Sequence, residues 1–578
     1  MTLPRPARVA AICMLIAAAA PWTTLQAQDA LLDVMASEIE REMETLQAQN
    51  PPAYFLSYRI NHSYTCSIST EFGALEQSRE TKGSNITTQI RVGDHTMDNT
   101  REIRGSGGFD FSFPQFTSMP LDGDETATRL LLWNETNKQY RKASKKYQEV
   151  KANTAVKVEA EDQSADFAND IRVESYIDPP VDIDAIKPDI SRWEQRLKRI
   201  SREFLACDDM FEGTASLTFE VARKRIATSE GSKIAENRVS ARVMLRAKVK
   251  CDDGMELPLH RSYFAFDHMK LPDEKQMIAD AREMVATLKA MRQAPVIEPY
   301  VGPALLSGEA SGVFFHEIFG HRVEGHRQKK ESEGQTFKKK EGEEVLPVHM
   351  SVTFDPTLKS FSGIDLNGHY VFDDEGVRGN KVGVVENGVL RDFLMSRTPF
   401  DKHPTSNGHG RAQAGYTPVS RQSNMIVATS NPRTEQKLRD LLLEECRAQN
   451  RQFGLYFKDV QGGFTMTGRF VPNAFNVTPT EVYRVYVDGR PDELVRGVDL
   501  VGTPLVMFSN ITDAGDIPAV FTGTCGAESG GVPVSAASPA LLVSQIEVQK
   551  KEKSQERAPI LPRPDIDNQT QQPSNETY

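Results

Sequence analysis

His316, Glu317 and His321 stand together in the segment 311–321, SGVFFHEIFGH. Two imidazoles with a glutamate directly after the first are the means by which zinc hydrolases hold an ion and draw a proton from water. The usual spacing between such histidines is four residues, which stacks both rings on one helical face. Here the spacing is five, and on a regular α-helix that separates the side chains by about 140°. An unbroken helix therefore cannot bring both rings to one ion. Gly320, just before His321, is where the helix is expected to end or widen so that the second ring swings back. Taken alone, the spacing leaves open a plain core helix with two incidental histidines.

Cysteine supplies the next candidate. Cys13 falls inside the apolar run Val9 to Ala20, which follows Arg5 and Arg8. A run this short matches a signal-peptide core better than a transmembrane helix, which needs about 20 apolar residues. Cleavage is expected after Ala27, giving a signal peptide at 1–27 and an exported protein, periplasmic or secreted, with no integral membrane segment once the signal is removed. Cys66, Cys207, Cys251, Cys446 and Cys525 remain. In an oxidising compartment an odd number calls for an explanation. If Cys525 is a metal ligand, the other four are either two disulfides or buried thiols.

The elements that must position these residues are legible from periodicity. Leu32, Met35, Ile39, Met43 and Leu46 recur at helical spacing, and Tyr54, Leu56, Tyr58 and Ile60 alternate as a strand does. Leu130 to Val150, Ile190 to Leu205 and Asp273 to Arg292 read as helices, and Leu217 to Ala227 and Val239 to Val249 as paired strands. Pro295 and Pro299 mark a boundary. Beyond it, glycine and short β-type runs dominate, with hairpin dipeptides at Asn387-Gly388 and Asp488-Gly489. The expectation is an α+β protein of two domains: a mixed α/β N-terminal domain at 28–295 and a β-rich C-terminal domain at 296–548. A polar tail at 549–578 is expected to be disordered.

Composition excludes other classes. The 578 residues are too many for one ordinary core, and the 39% apolar and 26% charged fractions are those of a globular protein. A net charge of −11 argues against a nucleic-acid partner, which would require a basic face. The basic stretch Arg327 to Lys340 is interleaved with glutamates and reads as a solvated loop.

The second half resembles the TldD/PmbA metallopeptidase family, whose signature carries the five-residue histidine spacing. Four blocks carry the likeness in order: 311–325 (SGVFFHEIFGHRVEG), 372–390 (FDDEGVRGNKVGVVENGVL), 407–424 (NGHGRAQAGYTPVSRQSN) and 496–526 (RGVDLVGTPLVMFSNITDAGDIPAVFTGTCG). The resemblance implies a β-rich metallopeptidase domain and a third ligand in Cys525, which would account for the odd cysteine. It implies one zinc ion per catalytic subunit, held by His316, His321 and Cys525, with Glu317 as general base. Glu324 matches a recurring family position and is a candidate to hold a ligand histidine from behind. His409 and Arg411 are candidates for binding the substrate backbone or oxyanion, with turn and surface roles equally open. His326 departs from the family pattern and competes as a ligand position. The family further implies a homodimer, or a heterodimer with a related subunit, and substrates that are peptides or unfolded segments entering an enclosed cavity, with strand addition as one way to hold them. Two rivals are a non-catalytic peptide-binding or scaffold subunit of such a complex, and an exported thiol-redox protein. The intact ligand set stands against the first and the lack of any Cys-x-x-Cys pair against the second.

Overall fold

A computed structural model of the chain describes residues 29–103, 114, 116–156, 162–169, 173–469, 475–502, 504–551 and 564. The signal peptide expected at 1–27 and most of the tail expected at 549–578 lie outside the described residues.

The first half is built on long antiparallel strands: β1 (Ala53–Glu71), β2 (Ala74–Val92), β3 (Met210–Thr228), β4 (Lys233–Lys250) and β5 (Glu256–Ala265), in the order β2-β1-β3-β4-β5. The first four run 18 or 19 residues, roughly 60 Å of extended chain. Their two-residue period sorts the side chains by face. Tyr58, Ile60 and Cys66 of β1, Leu217 and Phe219 of β3, and Val243 and Leu245 of β4 are buried. They lie beneath α1 (Ala30–Leu46), α2 (Glu125–Val156), α3 (Ile190–Arg202) and α4 (Glu274–Gln293). The alternate positions carry Arg59, Lys224, Arg238 and Arg242, and these cations bind the second half of the chain. Arg59 donates to the carbonyls of Gln413 and Tyr416, Lys224 to that of Phe372, Arg238 to that of Asn367, and Arg242 to that of Thr522. One face of the sheet thus makes a core and the other a domain contact.

The second half forms a larger mixed sheet. Strands β6 (Tyr300–Leu306), β7 (Phe453–Thr465), β8 (Phe475–Tyr486), β9 (Val498–Gly502), β10 (Ile511–Ala527) and β11 (Gly530–Lys550) make most of it. The pairings β6–β7, β7–β8, β8–β9, β9–β11 and β11–β6 close into a ring, and β10 pairs with β11 as a long hairpin. Three shorter strands, Asn424–Thr429, Met350–Phe354 and Val382–Glu386, extend the sheet from β11. The Asn387-Gly388 turn follows the last of these, with both residues at positive φ (49° and 81°), as a type I′ hairpin demands.

Helix α5 (Gly308–Ile318) follows β6, capped by the Ser307 hydroxyl, which accepts from the Ala310 N–H at 3.2 Å. It packs on β7, β10 and β11, and every residue of it except Glu309 is buried, as expected of a helix apolar almost all round. The mixed, strand-rich α/β architecture agrees with the sequence expectation. Cys66, Cys207, Cys251, Cys446 and Cys525 are all buried, and none forms a disulfide among the described residues, so of the two states open for the first four, the thiol is found.

Candidate metal centre

Helix α5 carries His316 and Glu317 on its last turn and stops at Ile318. Phe319 leaves helical geometry (φ −111°) and a 3-10 turn over Gly320–Arg322 carries His321. The break expected between the two histidines is present, two residues earlier than Gly320. The glycine does different work from that anticipated: it has no positive φ, but a Cβ there would lie 2.0 Å from the Gln422 side-chain oxygen. Gln422 in turn donates to the His316 carbonyl at 3.2 Å. The missing side chain lets Gln422 reach the C-terminal end of α5, where the last carbonyls lack helical partners.

The break brings the two imidazoles to a centroid separation of 5.1 Å, their planes 77° apart. Cys525, near the end of β10, sits opposite Val532 across the β10–β11 hairpin. Its Sγ lies 3.3 Å from His321 Nε2. The ligand atoms of His316, His321 and Cys525 are all within 4.8 Å of one another, and all three residues are buried. In a tetrahedral zinc site, with Zn–S about 2.3 Å and Zn–N about 2.0–2.1 Å, sulfur and nitrogen stand roughly 3.6 Å apart. The residues fit such an ion: two neutral imidazoles and a thiolate, with room for a fourth ligand from the cavity side. His326 does not join them. It is buried and hydrogen-bonded through Nε2 to Glu528.

Groups behind the ligands fix their orientation and charge. Glu324, fully buried, accepts from His321 Nδ1 at 3.2 Å and from Arg327 Nε at 2.7 Å, so the other ring nitrogen faces Cys525. Burial works against the Glu324 carboxylate, yet His321 and Arg327 hold its pKa down at about 2. Arg421 donates to the Cys525 carbonyl at 2.6 Å and to its Sγ at 3.2 Å. Burial would push the Cys525 thiol up, but His321, His316 and Arg421 hold it well below its ordinary value. Arg421 also binds Ser529, and Arg327 binds Glu528, so the hairpin turn beside Cys525 is tied to the histidine segment from both sides. Arg327 is therefore buried and not part of a solvated loop, because Glu324, Glu333 and Glu528 surround it.

Glu317 differs from Glu324 in having no such partners. Its carboxylate makes no hydrogen bond among the described residues, and burial lifts its pKa above the usual glutamate range while His316 and His321 oppose the rise. It lines, with the three ligands, a cavity of about 1370 Å³ between α5, β7, β10 and the edge of the first sheet. His409 and Arg411 do not line this cavity. His409 is buried against Asn407 and Ser423, at 3.1 and 3.0 Å, and burial lowers its pKa to about 3. Arg411 donates to the carbonyls of Gln422 and Pro533. Both brace the loop that presents Arg421 and Gln422. Those two residues were not singled out from sequence, although they lie in the third block of the resemblance.

Two imidazoles and a thiol converge on the cavity wall, beside a glutamate with no carboxylate hydrogen bond among the described residues, and this donor set suits a soft divalent ion. Residues 300–550 match the PmbA/TldA metallopeptidase C-terminal domain. Through this domain the second half of the chain is similar to the TldD/PmbA family. It is 34% identical over 241 residues to a metalloprotease of Archaeoglobus fulgidus, covering 41% of this chain and 51% of that protein, so the match spans about half of the relative. A zinc metalloprotease TldD homolog of Saccharolobus solfataricus is 24% identical over 278 residues, covering 47% and 57%. The crystal structure of TldE from Thermococcus kodakarensis superposes with a TM-score of 0.56 at 12% identity, over 89% of this chain and all of that one. That likeness extends the shared fold through both halves.

Proposed function

We propose that this protein is an exported zinc-dependent peptidase that hydrolyses peptides or unfolded protein segments. The observation that carries the proposal is the convergence of His316, His321 and Cys525 on one point of a cavity wall, with the Glu317 carboxylate beside them and open to the cavity. Zinc bound there would polarise a peptide carbonyl and make a neighbouring water more acidic. Glu317 accepts the proton of that water as the water oxygen adds to the carbonyl carbon, and passes the proton to the departing amine. Glu324 keeps the His321 ring turned towards the ion, and Arg421 keeps Cys525 ionised.

Metal analysis of the mature protein, joined to a peptide-hydrolysis assay, tests the proposal. One zinc per catalytic chain is expected, with hydrolysis lost on chelation and restored by zinc. A chain that binds zinc and peptide but cleaves none would instead be a scaffold subunit, and chelator-resistant turnover would remove the metal from the mechanism. Export rests on the Arg5, Arg8 and Val9–Ala20 pattern. The natively recovered protein is expected to begin near Gln28, and an intact Met1 would contradict this. A homodimer or a heterodimer with a related subunit is proposed on family grounds, and sedimentation of the native protein would decide between them.

A further inference from the structure

Helix α5 is buried along its whole length apart from Glu309. Glu309, Val313 and His316 stand at positions i, i+4 and i+7, so they share one face, and all three line the cavity. Seven residues of helix place Glu309 about 10 Å from His316 along the axis. The cavity walls include apolar side chains, Val313 on the helix, Val460 on β7, and Val520 and Phe521 on β10, among polar ones. At the Glu309 end the charges do not cancel. Arg261 of the first sheet is occupied by Asp459, at 2.9 Å, and Glu309 has no hydrogen bond or ion pair among the described residues. Enclosure raises the Glu309 pKa, Asp459 adds to the rise and Arg261 opposes it. An acid in the first turn suits the helix dipole, but the dipole does not explain why the one exposed residue of a buried helix is a carboxylate facing a cavity.

We propose that Glu309 is a cation subsite of the cavity, which takes a positively charged group of the substrate: its terminal ammonium or a lysine or arginine side chain. The subsite rests on the peptidase reading and deepens it. An extended peptide rises about 3.3 Å per residue, so a chain with its carbonyl at the metal centre places a residue roughly three positions away beside Glu309. The apolar side chains of the walls take the residues between.

Mixed-sequence heptapeptides test this in four forms: free or acetylated at the amino terminus, and with lysine or norleucine three residues from the scissile bond. With the wild-type protein, removing the recognised charge should raise KM roughly 10-fold or more, with kcat little changed. Acetylation alone having the effect identifies the terminal ammonium, and norleucine alone having it identifies the side chain. Glu309→Gln, of the same size, should erase the difference between charged and neutral peptides, and Glu309→Lys should reverse it. Equal KM for all four forms, or a preference that survives in Glu309→Gln, overturns the subsite. Calorimetric binding of the same peptides to zinc-loaded Glu317→Gln separates the two readings. A preference for charged peptides in binding, with no turnover by the wild type, keeps the subsite and removes the peptidase reading. Absence of any charge preference in binding removes the subsite whatever the turnover.

Discussion

Glu317 and Glu324 are seven residues apart and meet opposite fates, and the contrast fits the roles proposed for them. Glu324 accepts hydrogen bonds from His321 and Arg327 through one carboxylate oxygen and is held ionised; Glu317 makes no hydrogen bond through its carboxylate among the described residues, and its pKa is raised. A carboxylate that must move protons cannot be locked by permanent hydrogen bonds, whereas one that orients a ligand must be. Glu317→Gln is therefore expected to retain zinc and peptide affinity while kcat falls about 10²- to 10⁴-fold, the usual loss for a general base. Near-wild-type turnover in a zinc-loaded variant would exclude Glu317 as the base. Glu324→Gln should act on the ion instead, lowering zinc affinity about 10- to 100-fold by loosening His321. Competition with a chelator of known affinity measures this, and unchanged affinity would mean that the 3.2 Å contact does not orient the ligand. Both glutamates were legible in the sequence because they belong to one short segment with the histidines. Arg421 was not, since nothing in its surroundings ties it to Cys525, 104 positions on. Only the fold makes them neighbours, and the more conspicuous His409 and Arg411 of the same loop turn out to support it.

At the scale of elements, the centre depends on how α5 ends. The five-residue histidine spacing required a break, and the structure supplies it through the Phe319 backbone and the turn at 320–322. The role of Gly320 could not be read from sequence, because its reason is the Gln422 side chain packed where a Cβ would be. Gln422 is fully buried, so its flexible end has nowhere to go without releasing the His316 carbonyl. Gly320→Ala is accordingly expected to cost about 1–3 kcal/mol, as overpacking of a tight site does, and to weaken zinc binding with it. Denaturant midpoints of the zinc-free and zinc-loaded forms would show both effects, and an unchanged zinc-free midpoint would place the clash elsewhere. Three strands of the first sheet, β1, β3 and β4, were read from alternation over shorter ranges than they span, while β2 and β5 were not read. Leu217 to Ala227 lies within a Met210–Thr228 strand, whose first seven residues include Gly213 and a register shift after Met210 that obscure the alternation.

Across the whole molecule, the same alternation that builds the first core also builds the cavity. The helix-facing positions of β1, β3 and β4 fold the N-terminal sheet, and their opposite positions deliver Arg59, Lys224, Arg238 and Arg242 to backbone carbonyls of the second half. Arg261 meets Asp459 across the cavity at 2.9 Å. A mixed strand-rich fold was legible from composition and periodicity. The closed ring of strands was not, since the β6–β7 and β6–β11 pairings join segments more than 140 residues apart and leave no local pattern. The central claim is that this assembly holds one zinc ion with two imidazoles and one thiolate, leaving a position for water. Zinc-edge X-ray absorption of the purified protein examines that ligand set directly. The account predicts one sulfur neighbour at about 2.3 Å and nitrogen or oxygen neighbours at about 2.0–2.1 Å, two of them imidazole, with the sulfur lost in Cys525→Ser. A first shell without sulfur, or one closed by four protein ligands, would contradict it.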